Sequence, residues 1–281
     1  MAEIHELQNI ASQVRRDILR MVHQNNSGHP GGSLGCADLF TALYFEILKH
    51  NPKDFTMDGI NQDMFFLSNG HISPVWYSVL ARSGYFPVEE LKTFRSINSR
   101  LQGHPTTDKN LPGIRIASGS LGQGISVAAG AALAKKLNND NNLVYCLTGD
   151  GELQEGQIWE AAMFCPHHKI DNLVVIVDYN KKQIDGPTDK VLSLGNLQDK
   201  WEAFHWKVIT ANGNNMEELV ETLRNVRNYT NKSKPVVILM STEMGFGVDF
   251  MMGTHKWHGS APNDEQLDKA LSQLDETLGD Y

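Results

Sequence analysis

The sequence predicts an α/β fold: a doubly wound, mainly parallel five-stranded sheet with helices on both faces. Three observations carry that expectation. Five short apolar runs of strand length recur along the chain, at Met64 to Leu67, Leu143 to Leu147, Leu173 to Val177, Trp206 to Ile209 and Pro235 to Met240. Helical apolar patterns fall between them, at Ile72 to Ala81, Leu121 to Leu137, Gln157 to Phe164 and Met216 to Val226. Such alternation is what parallel strands joined by crossovers require. Finally, each strand run ends in a polar or glycine-rich turn, in order SNGH, TGDGE, DYNKKQ, TANGNN and STEMGFG. Open α/β sheets bind ligands beyond the carboxyl ends of their strands, so these turns are expected to line one site.

A helical prologue precedes the first strand. Ile4, Leu7, Ile10, Ala11, Val14, Ile18 and Met21 recur at helical spacing between Ile4 and Val22, giving one apolar stripe on what reads as a surface helix. SGHPGGSLG, Ser27 to Gly35, carries too many glycines for regular structure and reads as a loop, after which Ala37 to Leu48 resumes as an apolar helix. NNDNN, Asn138 to Asn142, reads as a tight polar connection from helix to strand. With no repeat, low-complexity segment or linker, residues 1–281 are expected to form one domain with an N-terminal helical prologue.

Composition excludes several function classes. Hydrophobic residues at 41% and charged residues at 21% are the proportions of an ordinary globular protein, so a packed core is expected. No apolar run approaches the roughly 20 residues that cross a bilayer, and MAEIHELQNI lacks a basic, apolar leader, which points to a cytoplasmic protein without a membrane partner. Cys36, Cys146 and Cys165 lie in apolar stretches with no CxxC pair and read as buried thiols. A net charge of -8 argues against a nucleic-acid partner. It also means that an anionic ligand must be held by local amides, histidines or a metal cation.

The chemistry-bearing residues begin with Gly149-Asp150-Gly151-Glu152 after one strand and Asp178-Tyr179-Asn180 after the next. A Gly-Asp-Gly sequence alone is an ordinary turn. Here the second motif follows after one loop, helix and returning strand, which brings a carboxylate and an amide oxygen to the same rim of the sheet. Magnesium takes about six oxygen ligands, few of them carboxylate, and such a pair plus a loop carbonyl suits it. Gly149 and Gly151 would let a diphosphate approach the backbone, and a helix beginning near Glu155 would add amide donors. Four histidines stand beside glycine, His29, His71, His104 and His258. Singly, each could be a packed or capping side chain; together they suggest groups that donate to phosphate or exchange protons with sugar hydroxyls. The run ISVAAGAALA, Ile125 to Ala134, suits either packing on the sheet or a subunit interface, and Trp76, Trp159 and Trp201 read as core. No GxGxxG follows a strand and GxxxxGK[ST] is absent, which leaves nicotinamide and P-loop readings weak.

SGHPGGSLG, LSNGH, QGHP, SGSLGQGIS, GDGELQEG, DYNKKQIDG and a late HG occur in the order seen in the N-terminal, diphosphate-binding part of transketolases, and the resemblance covers nearly the whole chain. It implies thiamine diphosphate as cofactor, with magnesium, or another divalent cation such as calcium or manganese, held by Asp150, Asn180 and the main-chain carbonyl of Lys182. It places Gly149 and the backbone of Gly151 and Glu152 at the diphosphate, Ile184 near the thiazolium ring, and Gly119, Leu121 and Gly122 against the aminopyrimidine. His71 and His258 would approach the diphosphate, His29, His104 and His258 would address the donor sugar, and Glu155 would link the two halves of the cofactor site. Ser120 stands where full-length transketolases commonly have proline, and GTHKWHG departs from their usual wording.

Full-length members continue through a pyrimidine-binding and a C-terminal domain. The chain therefore resembles the N-terminal subunit of a split transketolase. The implied reaction moves a two-carbon ketol unit from a ketose phosphate to an aldose phosphate, in an active site shared with a separate pyrimidine-binding subunit that supplies the activating glutamate. The implied assembly contains two of each chain. Other readings are a non-catalytic cofactor-binding or regulatory module, a dihydroxyacetone synthase, or a transketolase for modified sugars.

Overall fold

A computed structural model describes residues 2–281. Its main sheet contains β1 (Met64–Leu67), β2 (Val144–Gly149), β3 (Leu173–Tyr179), β6 (Lys207–Asn212) and β7 (Val236–Ser241), while β4 (Lys182–Gln183) and β5 (Gly186–Pro187) form a separate antiparallel hairpin followed by a single helical turn, α7 (Thr188–Val191). The five strands are parallel in the order β1-β2-β3-β7-β6. Each of the five expected strands forms. Four run past their expected carboxyl ends, because main-chain pairing continues into Gly149, Tyr179, Asn212 and Ser241, residues that an apolar-run criterion leaves out.

Strict alternation sorts the strand residues between two cores. Phe65, Leu67, Tyr145, Leu147, Val174 and Ile176 face a core shared with α1 (Ile4–Gln24), α3 (Ala37–Ala42), α4 (Ser73–Arg82) and α9 (Met216–Asn225). Phe66, Cys146, Val175 and Val177 face the opposite core, shared with α5 (Gly124–Leu137), α6 (Gly156–His167) and α8 (Leu197–Ala203). Near-continuous apolar strands are what a sheet covered on both faces demands. All three cysteines are buried and free. Trp76 and Trp201 are fully buried, whereas Trp159 is half-exposed and closes the seam between α6 and α8, stacked on Phe204 with its indole N–H donated to the Leu153 carbonyl.

Three expectations need correction. SGHPGGSLG is not wholly a loop: Pro30–Gly35 form a short helix, α2. Its glycines are there for close packing, since a Cβ on Gly31 would lie 2.7 Å from Met244 Cγ and 2.8 Å from the Trp257 carbonyl oxygen, and one on Gly35 2.8 Å from the Glu243 carbonyl oxygen. Second, α1 is a surface helix only over its first turns, where His5, Glu6 and Gln8 are exposed. Gln13, Arg15, Arg16 and Asp17 are buried along with its apolar stripe, because α10 (Asp264–Leu271) and the following residues cover the outer side. Asp17 pairs with Arg82, and Arg16 with Asp280. Third, the apolar helix from Ala37 does not run regularly to Leu48; it widens into a π turn over Leu43–Ile47. The connection Asn138 to Asn142 is tight, as expected, with Asn139 left-handed at φ 56° and Asp140 accepting from the Asn142 main chain and Lys135.

Candidate active site

Parallel register sets Gly149 beside Asp178 and Tyr179 beside Ser241, so the tips of β2, β3 and β7 end level on one rim. Above that rim lies a cavity of about 360 Å³. His29, His71, His104, Gly119, Leu121, Gly149, Asp150, Gly151, Glu152, Glu155, Asn180, Lys182, Ile184 and His258 all line it. Gly122 does not line it but lies just behind, at φ +85°, with its N–H donated to Glu152 Oε1 at 2.7 Å. Turns from four strands contribute. The fifth, TANGNN after edge strand β6, stays outside and braces the rim: Asn214 accepts from the Glu243 N–H at 2.7 Å and donates to the Gly35 carbonyl at 2.9 Å.

The two strand-tip ligand candidates meet. Asp150 is 1% exposed; one carboxylate oxygen accepts from the Gly151 N–H at 2.7 Å and the other from the Lys181 N–H, next to Asn180. Burial, and then the neighbouring Asp178, push its carboxyl up to about 7 against those donors. Asn180 donates to Asp178 at 2.9 Å, which aims its amide oxygen at the Lys182 N–H, also at 2.9 Å. Asp178 is fixed in turn by the Thr242 hydroxyl, and its carboxyl too is raised by burial. Among the described residues no cluster of three or more His, Cys, Asp or Glu side chains could hold a metal. A cation at this rim would therefore sit on a mixed oxygen set of carboxylate, amide and main-chain carbonyl. Hard divalent ions favour such sets, and Asp150 and Asn180 both keep acceptor capacity beyond the bonds they make.

The four glycine-flanked histidines also converge. Ring centroids separate His29 from His71 by 5.0 Å, from His258 by 5.6 Å and from His104 by 6.4 Å, and His71 from His258 by 5.1 Å. Burial lowers all four, with mutual repulsion added for His29 and His71; His29 falls to about 4. All four are neutral near pH 7, each able to offer one donor and one acceptor nitrogen. His29 Nδ1, His258 Nδ1, Asn69 Oδ1 and Gln183 Oε1 are buried without a partner among the described residues, and their residues all line this cavity. Orphaned polar atoms gathered in one pocket are what a polar ligand would satisfy.

Sequence reasoning missed the brace behind the rim. The Glu152 side chain, 2% exposed, accepts from the Ser68 hydroxyl, the Gly122 N–H and the Gly149 N–H, the last at 3.0 Å. It joins the tips of β1 and β2 to the GSLGQG loop. Its position inside GDGE was visible, but a side chain turned inward rather than toward a ligand was not. Asp178 and Ser68 likewise stand inside the strand-end motifs without a role that spacing reveals. Glu155 and Ile184 stand exposed at the cavity mouth, Ile184 at 62% on the tip between β4 and β5.

Residues 7–277 match the family model described as the thiamine diphosphate binding domain of transketolase. The chain is 38% identical over 279 residues to one of the subunits of an apulose-4-phosphate transketolase from Phocaeicola vulgatus, covering 98% of this chain and 96% of that one. It is also 38% identical over 273 residues to a 6-deoxy-6-sulfo-D-fructose transketolase subunit, SqwG, of a Clostridium species, covering 96% of each. The human transketolase is 33% identical, and the match covers 97% of this chain but 42% of the human one. Among solved structures, transketolase from Campylobacter jejuni superimposes with a TM-score of 0.88 at 35% identity, covering 97% of this chain and 43% of that chain. The sheet, the cavity at its carboxyl rim and these likenesses agree, and the chain belongs to the transketolase family as its thiamine diphosphate binding domain.

Proposed function

We propose that this chain is the N-terminal subunit of a two-chain transketolase, transferring a two-carbon ketol unit from a ketose phosphate to an aldose phosphate. The observation that carries the reading is the single cavity in which Asp150, Asn180 and four neutral histidines meet. Thiamine diphosphate, when bound, supplies the nucleophilic carbon and electron sink for ketose cleavage. Asp150, Asn180 and the Lys182 carbonyl would hold magnesium, or calcium or manganese in its place. The amides of Gly151 and Glu152 would receive the diphosphate. His71 and His258 would donate to its oxygens. His29 and His104 would take and return protons at the donor hydroxyls, a role that requires neutral imidazoles.

The partner is a separate pyrimidine-binding subunit. It is supported by the positions of Glu155 and Ile184, exposed at the mouth, with Leu121 half-buried beside them, and by the apolar outer faces of α5 and α6. Along ISVAAGAALA, Ile125, Ala128, Ala129 and Ala132 are buried on the sheet while Val127 is 45% exposed; Leu137 at the end of α5 and Met163 on α6 are 75% and 56% exposed. We assign the assembly two copies of each chain and a cytoplasmic site of action. The relatives that match end to end carry names with apulose-4-phosphate and 6-deoxy-6-sulfo-D-fructose, which favours a modified sugar as one substrate.

The test is reconstitution. The chain is mixed with its candidate partner, magnesium and thiamine diphosphate, and ketol transfer from phosphoketoses is assayed with each component left out in turn. Turnover is expected only with all four present. Rapid turnover by this chain with cofactor and metal alone would refute the shared site.

A further inference from the structure

We propose that Arg95 is a positioning residue whose guanidinium bridges the two segments carrying His29 and His104, setting their spacing and placing a positive charge beside both imidazoles. The inference deepens the reading of the cavity as a ketose site and rests on it.

Arg95 sits at the foot of a short loop closed by its own N–H, which donates to the Leu101 carbonyl at 2.8 Å. Its backbone is left-handed, φ +57°, an uncommon conformation for a residue with a long side chain. From there the side chain runs beneath the histidine segments. A Cβ on Gly103 would lie 2.5 Å from Arg95 Cζ, so the guanidinium packs directly against the residue before His104. Its Nη1 donates to Ser27 Oγ at 2.7 Å, two residues before His29. One side chain thus touches both segments.

The guanidinium lies over the Phe94 ring, 5.6 Å from its centroid, but among the described residues no carboxylate balances the charge. Arg95 has no ion-pair partner among the described residues, and its Nε is buried without an acceptor. A half-buried cation without a carboxylate is costly to keep. Ser73 and Tyr77 anchor the His104 segment by themselves, donating to the Gly103 and Gln102 carbonyls at 2.8 Å each, so what Arg95 adds there is its tie to the Ser27 segment and its charge. Besides Phe94 and Tyr77, the charge acts on two imidazoles. His29 faces His71, His104, His258 and Arg95, with no carboxylate among them; His104 faces His29 and Arg95. Beyond them, Asp185 and His255 act on His258, and Tyr77 on Arg95. Burial is the larger influence on both His29 and His104, and Arg95 adds to it in the same direction.

The experiment is a pH titration by NMR of the full chain labelled with ¹⁵N-histidine, with resonances assigned by their loss in His29→Asn and His104→Asn. Arg95→Gln removes the charge, and Arg95→Met replaces it if that chain does not fold. The neutral variant should raise the midpoints of His29 and His104 by roughly 0.5–1 pH unit, leaving exposed His5 and His205 in place. Arg95→Lys, which keeps the charge, should stay near the wild-type values. Unmoved midpoints in a natively melting neutral variant overturn the proposal, as does an equal rise in every histidine or a rise in Arg95→Lys as large as in the neutral variant. In the reconstituted enzyme the acid limb of kcat/KM should move up by the same amount; lower turnover with an unmoved limb would reduce Arg95 to a strut. The titration uses no cofactor, sugar or partner, so its failure is distinguishable from absent ketol transfer, which would refute the functional reading instead.

Discussion

At the scale of single residues, the strand-tip carboxylate is where the site is most exposed to test. Asp150 is buried and raised to about 7 by burial and Asp178, so in the isolated chain it gains little from its surroundings and its removal should cost the fold little. Asp150→Ala is therefore expected to weaken magnesium-dependent binding of thiamine diphosphate by roughly 10–100-fold, the loss of a charge-assisted contact, with a near wild-type melting temperature. Titration calorimetry with and without magnesium measures it. Unaltered affinity would remove Asp150 from the metal shell. Legibility at this scale was uneven. Asp150, Asn180 and the four histidines could be picked out because glycine or a strand end beside a polar group marks an approachable side chain. Glu152, Ser68 and Arg95 could not, since each acts by reaching another segment of chain, and which segments touch is a property of the folded molecule.

At the scale of elements, α2 best separates propensity from packing. By helix propensity alone, Gly31→Ala should stabilise by about 1 kcal/mol. The Met244 side chain and the Trp257 carbonyl leave no room for the added carbon, and Gly31 also exchanges main-chain bonds with the segment above it, donating to the Trp257 carbonyl at 3.0 Å and accepting from the Gly245 N–H at 2.9 Å. Overpacking here should cost about 1–3 kcal/mol net. Gly31→Ala is thus expected to melt several degrees lower in a thermal scan, and a higher melting temperature would show that the contact yields freely. The same segment carries His258, so the helix and the cavity wall are mechanically one piece. Glycine clusters read as loops in a sequence because no local rule distinguishes a glycine kept for its backbone from one kept for what presses on it.

At the scale of the whole molecule, residues far apart in sequence close the structure over α1. Asp280 accepts from Gln13 Nε2 at 2.8 Å and from Arg16 Nε and Nη2 at 2.9 and 2.7 Å, and the Arg16 hydrogen bond is the main cause that holds its carboxyl below the ordinary aspartate value. A depressed carboxyl stabilises the fold above its unfolded value near pH 4, and the contribution is lost as pH falls through the lower folded value. Asp280→Asn should accordingly lower stability by roughly 1 kcal/mol at pH 7, the upper range for a solvent-screened pair, and the gap should narrow below pH 4. Melting curves at pH 7 and pH 3 decide; an equal gap at both would assign the loss to packing rather than charge. Sequence alone determined the layer architecture, since apolar runs of strand length alternating with helical patterns can be buried in few ways, and it determined which residue types stand at the strand tips. Tertiary structure decided the rest: that β6 lies at the edge and its turn misses the cavity, that α1 is covered on its outer side, and that one carboxylate and one arginine tie the loops together. The physical reason is range. Periodicity and turn chemistry are set by neighbours along the chain, whereas strand order and the bonds that brace a site depend on which distant segments fill the same space.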